Sequence, residues 1–253
     1  MTPLDRAHLR AEETGAEADR LAFWDRLAEA ELSLLLDAEG RDGQVVPRLF
    51  DVEGVRYALA FDLAERLAEF AGPSPTATLS GRALAALLAA EKLGLGLNLE
   101  DAPSAQLLPP EAVAWLAETV GSAPVEDAAR IEAVAPPGAL PERLLTALDA
   151  KLPAMAGLAR TAYLAGATYD GGAAGHVLAF VDAVPGAEHD LARAVHEALV
   201  FSGVEAGALD VTMLRASNPL AAALARHGLR IDLPQPEEPV RVEAPPEAPP
   251  KLR

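Results

Sequence analysis

Cysteine is absent from this chain of 253 residues. That absence removes disulfides, thiolate nucleophiles, thiol redox chemistry and most structural zinc sites together, and it fits the reducing environment of a cytoplasm. Long apolar runs are missing as well, since no uninterrupted stretch approaches the roughly 20 residues of a bilayer span. The opening residues MTPLDRAHLRAEE carry charge where a signal peptide would need an apolar core. The expectation is a soluble, unexported, cytoplasmic protein. Aromatic residues make up only 4% of the chain, so its cores must be built from Leu, Val and Ala packed at close approach. Positive charge is also scarce: Lys and Arg number 21 against 38 Asp and Glu, for a net charge of -17. Such a molecule repels a phosphate backbone or an anionic bilayer, and no basic stripe with interleaved aromatics counters this locally. Neither nucleic acid nor membrane is expected as a partner.

What is present is a regular alternation of helical and extended patterns. Leu21, Trp24, Leu27 and Ala28 share one side of a helix over residues 16–30, which leads into a strand over residues 32–36. Residues 45–50 and 55–61 read as two strands joined at DVEG, the first at a sheet edge because Pro47 cannot donate to a ladder. Asp62 and Glu65 have capping-box spacing and open a helix with Leu63, Leu67 and Phe70 inward. Ser80 caps the next helix, with Leu84, Leu87 and Leu88 inward. A short strand LGLGLNL and a brief strand near Gln106 follow, and Pro110 opens a further helix. On that helix Val113, Leu116, Ala117 and Val120 face inward while Trp115 points nearly the opposite way, so Trp115 calls for cover by the second half of the chain or by a partner, with local packing as the alternative.

Residues 121–139 shift to Pro, Ala and acid, with one short strand at 131–134. A second block then brings a helix with Leu144, Leu145, Leu148 and Leu152, strands over 158–168 and 176–182, and a helix over 188–202 burying Leu191, Val195, Ala198 and Leu199. A strand over 209–214 comes next. Ser217 or Asn218 caps a helix opened by Pro219 that ends at His227 and Gly228, and a last strand covers 229–233. The organisation expected is a first unit at 15–121, a linker at 122–139, a second unit at 140–233 and a disordered acidic, Pro-rich tail at 234–253. The fold class is α+β, each unit a small mixed sheet with helices packed on it.

The candidate chemical motifs resolve mostly into structure. In TYDGGAAGHVLAF the glycines run into a strand rather than a helix N-terminus, so Asp170, Gly171 and Gly172 form a hairpin bend and His176 opens a strand. DAEGRDG begins like a calcium loop, but Arg48 stands where the twelfth position needs a bidentate Glu, which leaves a turn. GLGLN lacks the third glycine of a dinucleotide fingerprint and follows a helix. His189 and His196, seven apart, lie on the solvent side of their helix without an HExxH frame, so they suggest no metal. No G-x-S-x-G elbow or Walker loop occurs. The chain is therefore expected to be non-enzymatic, without cofactor or metal.

The order of blocks resembles the SseB family, the enhanced serine sensitivity proteins of bacteria. The first half carries the resemblance on AELSLLLDAEG, YALAFDLAERLAEFAG and GLGLNLEDAPSAQLLPPEAVAWL. The second half carries it on PPGALPERLLTALDAKL, ARTAYLAGATYDGGAAGHVLAFV and ALDVTML, so the match spans residues 17–233. The resemblance implies both SseB-type domains, N-terminal and C-terminal, and attaches no catalytic residue set. A regulatory or protein-binding role is the leading expectation, with Trp115 as a contact and the acidic surface meeting a basic partner. The alternative is a small-molecule sensor linked to serine or a related amino acid, with Asn98, Asp101 and Ser104 of the loop at 98–104 as binding residues.

Overall fold

The structure is a computed structural model that describes residues 1–37, 46–122, 130–204 and 209–235. The turn expected at 37–43 therefore falls almost wholly outside the described residues, as does the tail from residue 236. The chain is α+β, built on two mixed sheets.

The first sheet centres on β3 (Val55–Phe61). β1 (Glu31–Leu35) and β2 (Leu49–Val52) lie end to end along one side of β3, both antiparallel to it, and β5 (Gly94–Leu97) runs parallel to it on the other side. β4 (Thr76–Ser80) closes one edge against β1 and β6 (Gln106–Leu108) the other against β5. Strand alternation assigns the faces. Leu32, Leu34, Ala58, Ala60, Leu95 and Leu97 enter the main core beneath α1 (Pro3–Thr14), α2 (Glu17–Glu29), α4 (Gly81–Ala90) and α5 (Pro110–Gly121). Leu35, Leu59 and Phe61 face the other way, onto α3 (Ala64–Ala71) through Leu67 and Phe70.

The second sheet centres on β8 (Thr161–Tyr169). β9 (Ala174–Val181) pairs antiparallel along its whole length, and β10 (Asp210–Leu214) runs parallel to β9. On the free side of β8, β7 (Ile131–Ala135) and β11 (Leu229–Asp232) sit end to end. One face, with Ala162, Leu164, Leu178 and Phe180, packs on α6 (Glu142–Lys151) and α7 (Glu188–Ser202). The other face packs on α8 (Pro219–His227) through Leu224.

The hairpin expected at Asp170 is present: Gly171 and Gly172 take φ of 89° and 83°, and the Gly172 amide donates to the Tyr169 carbonyl at 2.9 Å. Left-handed backbone of that kind is what glycine permits at no steric cost. His176 sits within β9, not at its first residue. Ser80 caps α4 as expected, its hydroxyl accepting from the Ala83 amide, and Asn218 caps α8 through the Leu220 amide.

Several local readings are corrected. Asp62 does not cap α3; the cap position is Leu63, without a side-chain bond, and Leu63 itself is exposed. The Asp62 carboxylate turns instead to the Thr2 hydroxyl at 2.6 Å and to Arg66 at 2.7 Å, because a guanidinium is a stronger partner than a first-turn amide. Leu145 is exposed rather than part of the α6 stripe. The segment after GPSP is β4, whereas the short strand expected at 131–134 is present as β7, paired with β8 on the second sheet. α1 carries a capping box in which Thr2 and Asp5 bond reciprocally, with Pro3 at the first helical position.

The two sheets meet through α2 and α4 on one side and α6 and α7 on the other. At the crossing of α4 on α2, a β-carbon on Gly81 would stand 1.8 Å from the Leu27 carbonyl oxygen, so only glycine lets these helices approach this closely. Phe201 of α7 lies within the core of the first sheet, which makes that core partly a product of both halves.

Candidate functional site

Two clusters of buried charge organise the molecule. The larger lies where the halves meet. Lys151, the last residue of α6, is 1% exposed, and its ammonium donates to Asp25 at 2.5 Å, Glu29 at 2.7 Å and Glu197 at 3.1 Å. Asp25 and Glu29 share one face of α2, four residues apart, whereas Glu197 comes from α7. Glu197 also accepts two bonds from Arg82 of α4, at 2.7 and 3.1 Å, and one from Arg193 one turn earlier on α7, at 3.2 Å. The Phe201 ring lies 5.7 Å from the ammonium.

Electrostatics differentiates these acids. Burial pushes Asp25 up, and the nearby charges of Glu29 and Glu197 reinforce this against a single ammonium, so Asp25 titrates above its ordinary value. Burial would raise Glu197 as well, yet Arg82 and Lys151 outweigh the desolvation and hold it below the ordinary value. Burial lowers Lys151, and the carboxylates of Asp25 and Glu29 more than compensate, so the ammonium is kept charged. The oxygens of Asp25, Glu29 and Glu197 are mutually close enough to hold a cation. The Lys151 ammonium already takes that position, and the trio reads as a charge-compensated junction.

Beside this junction opens a cleft of about 380 Å³. Arg82, Arg193, Glu29 and Asp190 give it charge of both signs, and Ala154 and Leu158 give it apolar wall. No family model, curated protein or solved structure matches the chain.

The second cluster gathers residues from the loop at 98–104. Asn98 and Ser104 are fully buried. Asn98 accepts from the Asp62 amide at 2.9 Å and donates to the Ser104 hydroxyl at 2.9 Å; Ser104 in turn donates to Asp5 at 2.6 Å. Arg66 closes the group with two bonds to Asp5, at 2.6 and 3.1 Å. Asn98 and Ser104 are thus bonded to each other, and Ser104 alone of the two reaches a carboxylate of the chain's own first helix. Asp101 stays exposed and apart from them. Burial by itself would raise Asp5, but Arg66, Ser104 and the Thr2 amide hold it well below the usual carboxylate range.

Trp115 is 39% exposed. It stacks edge-on against Trp24 of α2 at 5.5 Å and Phe201 of α7 at 6.4 Å, so the second half supplies part of its cover. The continuing rings of Phe23 and His8 extend this aromatic row to α1. His189 of α7 is exposed, and His196 is half-buried rather than on the solvent side. Sequence reasoning missed the Lys151 junction entirely. Its available signal was one lysine directly following the apolar stripe of α6, where a solvated helix end would not require burial.

A group whose pKa falls on folding stabilises the fold above its unfolded value and loses that contribution as pH drops. Replacing Asp5 with Asn should therefore cost about 3 kcal/mol or more at neutral pH, as for a broken buried pair. Denaturant titrations should show that gap closing as pH falls below Asp5's ordinary value of 3.8. A gap that stays constant down to pH 2 would contradict the ionised Asp5 described here.

Proposed function

We propose that the protein is a non-enzymatic, cytoplasmic regulatory module of the SseB type that binds a basic protein partner across the aromatic seam between its halves. The observation that carries this reading is Trp115: a large ring, partly solvent-exposed, held rigid by Trp24 and Phe201 at the junction of α2, α5 and α7. A preorganised tryptophan loses little conformational freedom on binding and is the side chain most often found to dominate interfaces. The flanking helix α5 carries Glu111 and Glu118 and no basic residue, within a chain of net charge -17. Charge of that sign steers a cationic surface toward the seam.

A second reading has its own observation. The cleft beside Lys151 presents guanidinium and carboxylate groups together with apolar wall, a combination suited to a small zwitterion such as an amino acid. It lies away from the loop at 98–104, whose Asn98 and Ser104 are internally satisfied.

For the first reading, affinity purification from the native cell should return a basic partner in stoichiometric amount. Trp115→Ala should weaken its binding about thirtyfold, the effect of a strong hot spot, and salt should weaken it further. No stoichiometric partner, or one retained equally by the variant, would defeat the proposal. For the second reading, thermal shift against an amino-acid panel should show about 2.7 kcal/mol of added stability at 100 times the dissociation constant, lost in Arg193→Ala. A flat response across the panel retires it.

A further inference from the structure

α1 is joined to α2 by only two non-helical residues, Gly15 at φ 61° and Ala16 at ψ 138°. It folds back on α2 as a hairpin and buries little of itself: Leu4, Asp5 and Ala11. Its specific hold is the Asp5 carboxylate, inserted between Arg66 and Ser104, supported by His8 against Gln106 at 3.2 Å and against the Phe23 ring at 5.5 Å. Arg66 and Ser104 stand at the ends of α3 and the loop after β5, behind the C-terminal ends of the parallel pair β3 and β5, where open α/β sheets leave a crevice. α1 fills that crevice as a tethered ligand would.

We propose that α1 is an exchangeable arm, and that the groove it occupies is an interface between two copies of this chain, each lending its α1 to the other. Every contact of Leu4, Asp5, His8 and Ala11 with the body can be remade unchanged when α1 comes from a second copy. The closed and exchanged forms differ only at the hinge. In the closed form, Gly15 is left-handed, and Arg10 and Thr14 bond to Asp19 at the surface. In the exchanged form Gly15 and Ala16 become helical, so α1 and α2 run on as one helix of roughly 40 Å at 1.5 Å per residue. Nothing in the intervening sequence, EETGAEAD, breaks a helix except the glycine itself. A two-residue tether keeps α1 at an effective concentration on the order of millimolar, so the wild-type chain is closed when dilute and exchanges when concentrated. Gly15 is thus the residue that holds the arm home.

The hinge sets the test. A β-carbon at position 15 meets no atom within 4 Å, so Gly15→Ala strains only the left-handed turn while favouring the continuous helix. Each hinge should shift by about thirtyfold and dimerisation by about a thousandfold, into the micromolar range. Because the chain lacks cysteine, exchange can be read covalently. Two Gly15→Ala chains, one carrying His8→Cys and the other Gln106→Cys, are mixed, unfolded, refolded together and treated with a short bis-maleimide. A covalent dimer joining positions 8 and 106 is expected, with the corresponding wild-type-hinge pair giving it only near millimolar concentration. Inserting four glycines after Gly15 should abolish it at micromolar concentration while light scattering reports a folded monomer. Absence of the 8-to-106 product in the Gly15→Ala mixture, with both chains folded by circular dichroism, overturns the proposal. So does labelling of position 106 by a free peptide of residues 1–14 carrying the same cysteine when no chain-to-chain product forms, since the groove would then take a separate helix rather than a second copy.

Discussion

One ammonium group, Lys151 Nζ, is shared by three carboxylates, two from α2 beneath the first sheet and one from α7 beneath the second. Buried ion pairs add little net stability, because desolvation offsets most of the Coulombic gain. What they impose is position. Once Lys151 is out of water, any displacement of one half from the other leaves a charge stranded at low dielectric, with a penalty of several kcal/mol. Arg82 and Arg193 bracket Glu197 from both halves and leave that carboxylate almost no freedom. The aromatic row through Trp24, Trp115 and Phe201 depends on this fixed geometry, since Phe201 reaches the first core only while α7 stays seated on α2 and α5. The cleft beside the junction is a consequence of the same seating.

The Asp5 cluster repeats that logic on a smaller scale. A carboxylate from α1 is stitched to Arg66 and Ser104, and Asn98 ties Ser104 to the backbone after β3. In each cluster an acid that burial would neutralise is kept ionised by guanidinium donors. Lys151, Arg66, Arg82 and Arg193 stand where several elements meet, within a chain whose net charge is -17. An acidic exterior around a rigid, half-covered tryptophan is what supports the reading of a module for basic protein surfaces.

Local patterns were legible because their causes are local. Asp170, Gly171 and Gly172 announce a hairpin, Ser80 and Asn218 announce caps, and the Leu191, Val195, Ala198 and Leu199 stripe announces α7. Two local signals were present and passed over: the Thr2 and Asp5 capping box of α1, hidden by the charge of MTPLDRAHLRAEE, and the β-prone TATLS of β4, which follows a proline turn. The junction was not legible, because Lys151 finds its partners 126, 122 and 46 positions away and no short window of sequence contains the arrangement. Asn98, Asp101 and Ser104 were recognised as polar residues of one loop, but the carboxylate that Ser104 bonds stands 99 positions away, so the sequence could suggest binding residues without showing that the group Ser104 holds is Asp5. Asp62 shows the same limit, its capping spacing overridden by distant Thr2 and neighbouring Arg66.

Differential scanning calorimetry of the wild-type chain and of Lys151→Met tests the central claim that this shared ammonium makes the two sheets, each with most of its own core, behave as one body. The account predicts a single cooperative transition for the wild type and two resolved transitions for the variant, the two cores melting independently once the junction is broken. Two transitions in the wild type, or one transition at an unchanged midpoint in the variant, would contradict it.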